Sequence, residues 1–331
     1  MKILVTGGTG LIGSHLVERL VTCGYDLRVL VRPTSDLHRL RDLSVELVYG
    51  DVRDDSAVRQ AVKDVEVVYH LAGVMRDWAP RQLFLDVNVK GTEYVCQACV
   101  AEGVGRLIHT SSVAATGMED YPGVKDESAP LLSSPQGQHP YCYSKAEGEW
   151  VVRRYAREHG LKVTVLRPSY AYGPRELNVG IYIVARLLQR HFNLLPGNGR
   201  NDHQMIYVTD VARGMELALQ EQAVGQTYIL VGPRTTAREV YSALARAMGR
   251  RDVIYAPKVF GRVLSVLLNA ICGAVRARRA PLITPFRLGI LVNNHAWDGS
   301  KAERELGFRY QVGLEDGMRN AVRWWRTHGY L

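Results

Sequence analysis

The sequence predicts an α/β fold, a doubly wound parallel sheet with a smaller C-terminal α/β portion, and three observations carry that prediction. Short β-branched runs alternate with longer helical patterns over the first two-thirds of the 331 residues, as strands do when crossover helices join them. Runs such as Ile3-Leu4-Val5 and Val67-Val68-Tyr69 are apolar without alternation, which suits strands covered on both faces by helices. The first run leads directly into a glycine-rich turn that opens a helix.

In chain order the pattern gives strand Lys2–Thr6, helix Leu11–Cys23, and strands Leu27–Val31, Val45–Tyr49, Glu66–Leu71 and Arg106–Ser111. Gly117–Pro140 carries Pro122, Gly123, Pro130, Ser133, Ser134, Pro135 and Gly137, a composition that marks a long surface loop before a helix at Tyr141. From about Asn178 the pattern loosens into helix Ile181–Arg190, a turn at Gly197-Asn198-Gly199, a short strand Met205–Val208, and a helix for which Thr209 or Asp210 is the expected cap. Residues 1–177 therefore read as a nucleotide-binding domain and 178–331 as a substrate-binding, capping portion with segments that return to the first.

Composition narrows the function. Hydrophobic residues make up 47% and charged residues 23%, which excludes disordered and fibrous classes. Five cysteines, Cys23, Cys96, Cys99, Cys142 and Cys272, form no even framework and read as reduced thiols in a cytoplasmic setting. Cys96 and Cys99 lack a partner pair or histidine cluster, so packing rather than metal is expected. No secretory pattern precedes the first strand. The net charge of +9 attracts anions, yet no basic stripe interleaved with aromatics points to nucleic acid. The densest basic cluster, Arg276, Arg278 and Arg279, adjoins the apolar stretch Val259–Val275. That stretch is broken by Arg262, Ser265 and Asn269 and is too short to span a bilayer, so it reads as a core helix or as one lying at the inner face of a membrane.

The chemistry is carried by two motifs. Gly7-Gly8-Thr9-Gly10-Leu11-Ile12-Gly13 lies between a strand and a helix, where Gly7 permits the turn, Gly10 admits a pyrophosphate, and Gly13 lets helix pack on strand. Thr9, Leu11 and Ile12 complete the anion-facing turn. Where a carboxylate would meet the adenosine ribose of NAD, Val31-Arg32-Pro33-Thr34-Ser35 stands instead, so Arg32, helped by Thr34, Ser35 or Arg39, points to NADP(H), with NAD(H) as the alternative. Asp51 and Val52 are placed to meet the adenine; Leu71, Ala72 and Gly73 the second ribose. His70 between them reads as a structural histidine.

The second motif is Tyr141-x-x-x-Lys145 at a helix start, with Thr110-Ser111-Ser112 ending strand five. One turn puts Tyr141 and Lys145 on one face. A nearby ammonium and the positive ring of an oxidised cofactor are expected to favour the phenolate, and a serine hydroxyl to polarise a carbonyl while hydride moves.

On these residues, and on Asn88-Val89-Lys90-Gly91-Thr92, Arg167-Pro168-Ser169-Tyr170-Ala171-Tyr172-Gly173-Pro174, Tyr207-Val208-Thr209-Asp210-Val211-Ala212 and Ser300-Lys301-Ala302-Glu303-Arg304-Glu305-Leu306-Gly307, nearly the whole chain resembles the extended short-chain dehydrogenase/reductase family of the NAD-dependent epimerase/dehydratase type. The resemblance implies a Rossmann fold, a catalytic Ser112 beside Tyr141 and Lys145, Asn88 as a support, and Pro168 and Tyr170 next to the nicotinamide amide. It also implies a homodimer through the helices after strands four and five. Nucleotide-sugar members carry an Arg-Asp-Phe diphosphate grip where this chain has His203-Gln204-Met205, with Arg200 three residues earlier as a substitute. The region that usually supplies another such arginine is largely apolar from Val259 to Val292. The chain thus resembles the branch that includes 3β-hydroxysteroid dehydrogenases, dihydroflavonol reductases and hopanoid-associated members. An alcohol/ketone oxidoreductase acting on a bulky apolar substrate is expected, with Met75, Trp78 and Arg175 as further substrate contacts. A nucleotide-sugar epimerase or dehydratase with tightly bound NAD, and a non-catalytic cofactor sensor, are the alternatives.

Overall fold

The computed structural model describes residues 1–177, 180–274 and 280–331. Its centre is a seven-stranded, all-parallel sheet. The strands are β1 (Lys2–Thr6), β2 (Asp26–Val31), β3 (Glu46–Tyr49), β4 (Val67–His70), β5 (Arg106–Thr110) and β6 (Val163–Pro168), with β10 (Thr227–Leu230) last in the chain. Their spatial order is β10-β6-β5-β4-β1-β2-β3. The chain winds outward from β1 in both directions, so a crevice opens at the carboxyl ends of β1 and β4, where ligands bind in sheets of this kind. Helices α1 (Leu11–Thr22), α2 (Asp55–Val62), α3 (Arg81–Phe84), α4 (Gly91–Ala101) and α5 (Pro140–His159) provide the crossovers, with a π-helical segment over Leu85–Lys90. Burial on both faces explains the unbroken apolar strands: Ile3, Leu4 and Val5 are all fully buried.

A second core gathers around α6 (Ile181–Gln189), α8 (Ala237–Met248) and α12 (Leu314–Thr327), with Trp325, Tyr241 and Met318 at its centre. Two short parallel pairs belong to this half of the chain. They are β7 (Tyr170–Tyr172) with β9 (Met205–Tyr207), and β8 (Leu194–Pro196) with β11 (Ile254–Ala256). Helix α7 (Val208–Leu217) packs back on α1, and α11 (Ser300–Leu306) on β10. Helices α9 (Lys258–Ala274) and α10 (Pro285–Val292) pack on each other.

The strands expected at Glu66–Leu71 and Arg106–Ser111 run over Val67–His70 and Arg106–Thr110, although the N–H groups of Leu71 and Ser111 still bond the Thr6 and Leu166 carbonyls of the neighbouring strands. Neither Thr209 nor Asp210 caps α7, which begins at Val208 with Tyr207 at the N-cap and no side-chain bond. Asp210 is buried and spends both oxygens on the backbone N–H groups of Gln311 and Val312, each at 3.0 Å, tying the chain before α12 to α7. Arg276, Arg278 and Arg279 lie outside the described residues. No helix among the described residues is long and apolar enough to cross a membrane.

Candidate active site

The glycine turn is built by close approach. Gly7 has φ +75°, and a Cβ there would meet the backbone N of Ala72 at 2.7 Å. A Cβ on Gly13 would lie 2.2 Å from the Gly7 carbonyl, so only glycine lets α1 start this close to β1. Gly10 at the N-cap offers no side-chain bond, which leaves first-turn N–H groups facing outward. Around that turn stand cations. Arg39 donates to the Thr9 carbonyl at 3.4 Å, and Arg175 to Ser14 Oγ at 3.0 Å while pairing with Glu18. Burial and the charge of Arg175 push the Arg39 guanidinium below its ordinary range. Burial likewise holds His15, bonded to the Leu11 carbonyl, at about 4. Arg175, expected as a substrate contact, is thus bonded to two side chains of α1.

Arg32 is exposed just beyond β2, in a turn where its N–H bonds Ser35 Oγ at 3.2 Å. Asp51 is held in a two-point pair with Arg53 at 3.0 and 2.9 Å, which keeps its carboxyl below the usual range. Val52 is buried under Gly91, whose Cβ would meet it at 3.0 Å. After β4, Leu71 N–H bonds the Thr6 carbonyl at 3.1 Å and Ala72 N–H the Thr6 hydroxyl at 3.2 Å, which draws this segment, up to the exposed Gly73, alongside the glycine turn. His70 bridges Thr6 at 2.8 Å and Thr92 at 3.0 Å and is kept neutral by burial. Thr110 Oγ1, on the last residue of β5, and Ser169 Oγ, just past the end of β6, are buried with no protein partner. A glycine cradle, a cationic rim and orphaned hydroxyls at the crevice together fit a nicotinamide dinucleotide.

Ser112, Tyr141 and Lys145 are brought together beside this cradle. Ser112 caps the turn at Val113–Thr116, accepting from Ala114 N–H at 3.1 Å, and its hydroxyl is hydrogen-bonded with Tyr141. Lys145 Nζ donates to the Thr110 carbonyl at 2.5 Å. Burial lowers the Lys145 ammonium to about 8, against an upward pull from Glu149. Burial also pushes the Tyr141 hydroxyl up to about 12, and the Ser112 bond offsets this only in part. The phenolate expected beside an oxidised cofactor is thus not favoured in the protein by itself. Desolvation outweighs the Ser112 hydrogen bond, and Tyr141 stands as a proton donor at neutral pH.

The support beneath these groups was only partly legible. Asn88, buried in the π-helical segment, accepts from Val74 N–H at 2.7 Å and donates to the Val74 carbonyl at 3.1 Å and to Ser144 Oγ at 2.8 Å. It locks the strand-four loop to α5. Glu149 and Arg167, both essentially unexposed, make a two-point ion pair at 3.0 and 2.8 Å one turn beyond Lys145. The Lys145-x-x-x-Glu149 spacing and a lone charged residue, Arg167, in the strand Val163–Pro168 were the available signals.

The wall facing Tyr141 is apolar. Ala114, Met118 and Cys142 are buried there, with Leu132, Tyr170 and Phe286 packed against them. Tyr170 also stacks on His203 at 5.4 Å and meets Trp297 edge-on. Phe286 stacks at 3.9 Å on His139, whose Nδ1 accepts from Tyr141 N–H at 3.2 Å. The Nε2 proton of that ring then points to the Asp77 carbonyl at 3.3 Å. The Asp77 carboxylate takes Arg287 at 2.9 Å and Thr284 Oγ1 at 2.7 Å. Helix α10 is thereby latched over the cleft by the loop that bears half-buried Trp78 and exposed Met75. At the position of the expected diphosphate grip, His203, Gln204 and Met205 are all buried, with Gln204 bonded to the Gly232 carbonyl and Trp297 N–H.

The profile of the NAD dependent epimerase/dehydratase family matches residues 3–232. Sterol demethylase protein B of Methylococcus capsulatus is 30% identical over the full length of both chains. The 2-alkyl-3-oxoalkanoate reductase of Stenotrophomonas maltophilia is 30% identical over 96% of this chain and 98% of its own. The crystal structure of DesIV, a dTDP-glucose 4,6-dehydratase of Streptomyces venezuelae with NAD and TYD bound, superposes with a TM-score of 0.80 at 29% identity, covering 99% of this chain and 97% of that one. The chain belongs to the NAD dependent epimerase/dehydratase family and is an enzyme of the extended short-chain dehydrogenase/reductase type.

Proposed function

We propose that this enzyme interconverts an alcohol and a ketone on a bulky apolar substrate, of sterol, steroid or hopanoid character. The observation that carries the reading is the wall beside Tyr141: Met118, Leu132, Tyr170, Phe286 and Ile290 share one apolar cluster with its ring, and the nearby cation Arg287 is already paired with Asp77. Such a surface pays for apolar atoms and offers nothing to a diphosphate.

A bound nicotinamide dinucleotide supplies or accepts the hydride. The chain's own groups manage the proton. With its hydroxyl near 12, Tyr141 carries the proton that a carbonyl oxygen needs on reduction, and Ser112 donates a second hydrogen bond to that oxygen. Lys145, fixed on the Thr110 carbonyl, holds positive charge beside the phenol and steadies it as the proton leaves. Asn88 and His139 hold the loop after β4, through Val74 and the Asp77 carbonyl.

NADP(H) is the preferred cofactor in this reading, since the exposed Arg32 guanidinium and the Ser35 hydroxyl suit a 2′-phosphate. The protein acts as a cytoplasmic homodimer through the outer faces of α4 and α5, where Trp150 is 49% exposed. Its substrate partitions into bilayers, so the enzyme works at the inner face of a membrane. The second reading, transient oxidation of a nucleotide sugar, is favoured by the likeness to DesIV and requires NAD held through the cycle.

The test is incubation of the purified protein with NADPH and a panel of ketones running from short aliphatic chains to cholest-4-en-3-one. Oxidation that grows with apolar bulk supports the proposal. NAD retained through purification, with no ketone reduced, transfers the enzyme to the second reading.

A further inference from the structure

Helix α9 is amphipathic the wrong way round for a water-soluble protein. Val259, Phe260, Val263, Val266, Leu267 and Ile271 are 54% to 66% exposed. The side turned to the protein is small or polar: Gly261 and Ser265 are buried, and Ser265 Oγ donates to the Arg262 carbonyl at 2.9 Å. A Cβ on Gly261 would meet Pro196 at 2.6 Å and Leu288 at 2.9 Å, so the helix lies close against the body by its narrow face and shows water its bulky one. Exposed apolar patches of this size mark interaction surfaces.

Charge selects the occupant. Between residues 253 and 297 there is no aspartate or glutamate; of the six cations there, Arg287 is paired with Asp77 and Lys258 lies 3.8 Å from Asp120, and Arg262, Arg276, Arg278 and Arg279 supply the rest. A second copy seated on the same face would bring like charges together. Seventeen residues of helix reach about 26 Å, short of the roughly 30 Å bilayer core. An apolar face in a carboxylate-free, basic segment suits the headgroup boundary of an anionic bilayer.

We propose that the outward face of α9 docks the enzyme on an anionic lipid membrane. Helix α10 packs directly on α9 and carries Phe286 and Ile290 to the wall beside Tyr141, so the docked surface adjoins the apolar cleft. That the membrane delivers substrate rests on the apolar-substrate reading; the docking itself does not.

The experiment is co-sedimentation of the full chain with vesicles of phosphatidylcholine alone and with one quarter phosphatidylglycerol. The wild type binds the anionic vesicles at least about tenfold more strongly, and less so in high salt. Val263→Glu with Leu267→Glu abolishes binding while melting temperature and NADPH affinity stay unchanged. Two results overturn the proposal: wild type left in the supernatant with anionic vesicles, or a double variant that, without lipid, converts an oligomer into monomers in light scattering, which makes the face a contact between copies. A protein that sediments but reduces no vesicle-borne cholest-4-en-3-one retains the docking and removes the substrate reading.

Discussion

Replacing Glu149 by Gln tests whether the buried ion pair below the site sets the charge state of Lys145. Glu149 is fully buried and Arg167 is 1% exposed, with two nitrogen–oxygen contacts of 3.0 and 2.8 Å between them. Removing one charge leaves Arg167 in a dry interior without its counter-ion, a loss of about 3–5 kcal/mol. Unfolding entropy of about 2.1 cal/mol/K per residue amounts to roughly 0.7 kcal/mol/K for a chain of 331 residues, so the melting temperature should fall by roughly 4–7 °C. Glu149 also pulls the Lys145 ammonium upward against burial. Without the carboxylate the ammonium weakens further, and its midpoint drops below about 8. Calorimetry reads the first effect, and pH-dependent amine labelling of Lys145 followed by mass spectrometry reads the second. Adding Arg167→Met, which removes both charges, recovers most of the melting temperature. An unchanged melting temperature together with an unmoved labelling midpoint would refute the reasoning.

Tyr141→Phe should lower ketone turnover by about 10²- to 10⁴-fold, the usual worth of a positioned proton donor, with NADPH affinity by fluorescence titration unchanged; near-normal turnover would remove Tyr141 from the proton path. Arg32→Ala should weaken NADPH binding by roughly 10- to 100-fold, the worth of a charge-assisted bond, and leave NADH binding alone; equal losses for both cofactors would remove Arg32 from 2′-phosphate recognition. Burial lowers His15, His70, His109, His203 and His295, so each is neutral in the folded protein and binds a proton on unfolding below about 6.5. Their contribution is complete above that pH and is lost as pH falls, for His15, His70, His203 and His295 toward folded values of about 3 to 4 at about 1.4 kcal/mol per pH unit each, with His109 acting in the same direction. Urea unfolding at pH 6.5 and 5 should therefore show a steep loss of stability, and equal midpoints would contradict it.

The parts legible in the sequence are those that local spacing determines. Lys2–Thr6 ends where expected because Gly7 turns the chain, and Tyr141 and Lys145 share a helix face by their four-residue offset. What stayed hidden depends on partners distant in the chain. Asp77 meets Thr284 across 207 residues, and no local pattern marks either as a latch. Arg175 follows the Tyr170–Tyr172 strand, but its own positive φ of 73° accompanies a guanidinium that reaches α1. Asp210 had the composition of a helix cap, yet two buried N–H groups on a later segment claim it. For α9 the sequence showed an apolar stretch that suited a core helix or a membrane face; only the fold reveals that its bulky residues face outward. Burial, which no local pattern shows, raises the Tyr141 hydroxyl in the protein by itself, whereas the expected phenolate also invoked the positive ring of a bound oxidised cofactor.

The central claim is tested most directly by following deuterium from NADPH labelled at nicotinamide C4 into product, with cholest-4-en-3-one as the ketone and wild type compared with Tyr141→Phe. The account predicts deuterium on the carbinol carbon with the wild type, and almost none with the variant despite intact NADPH binding. Recovery of unlabelled ketone from the wild type, alongside interconversion of a nucleotide sugar by tightly held NAD, would contradict it.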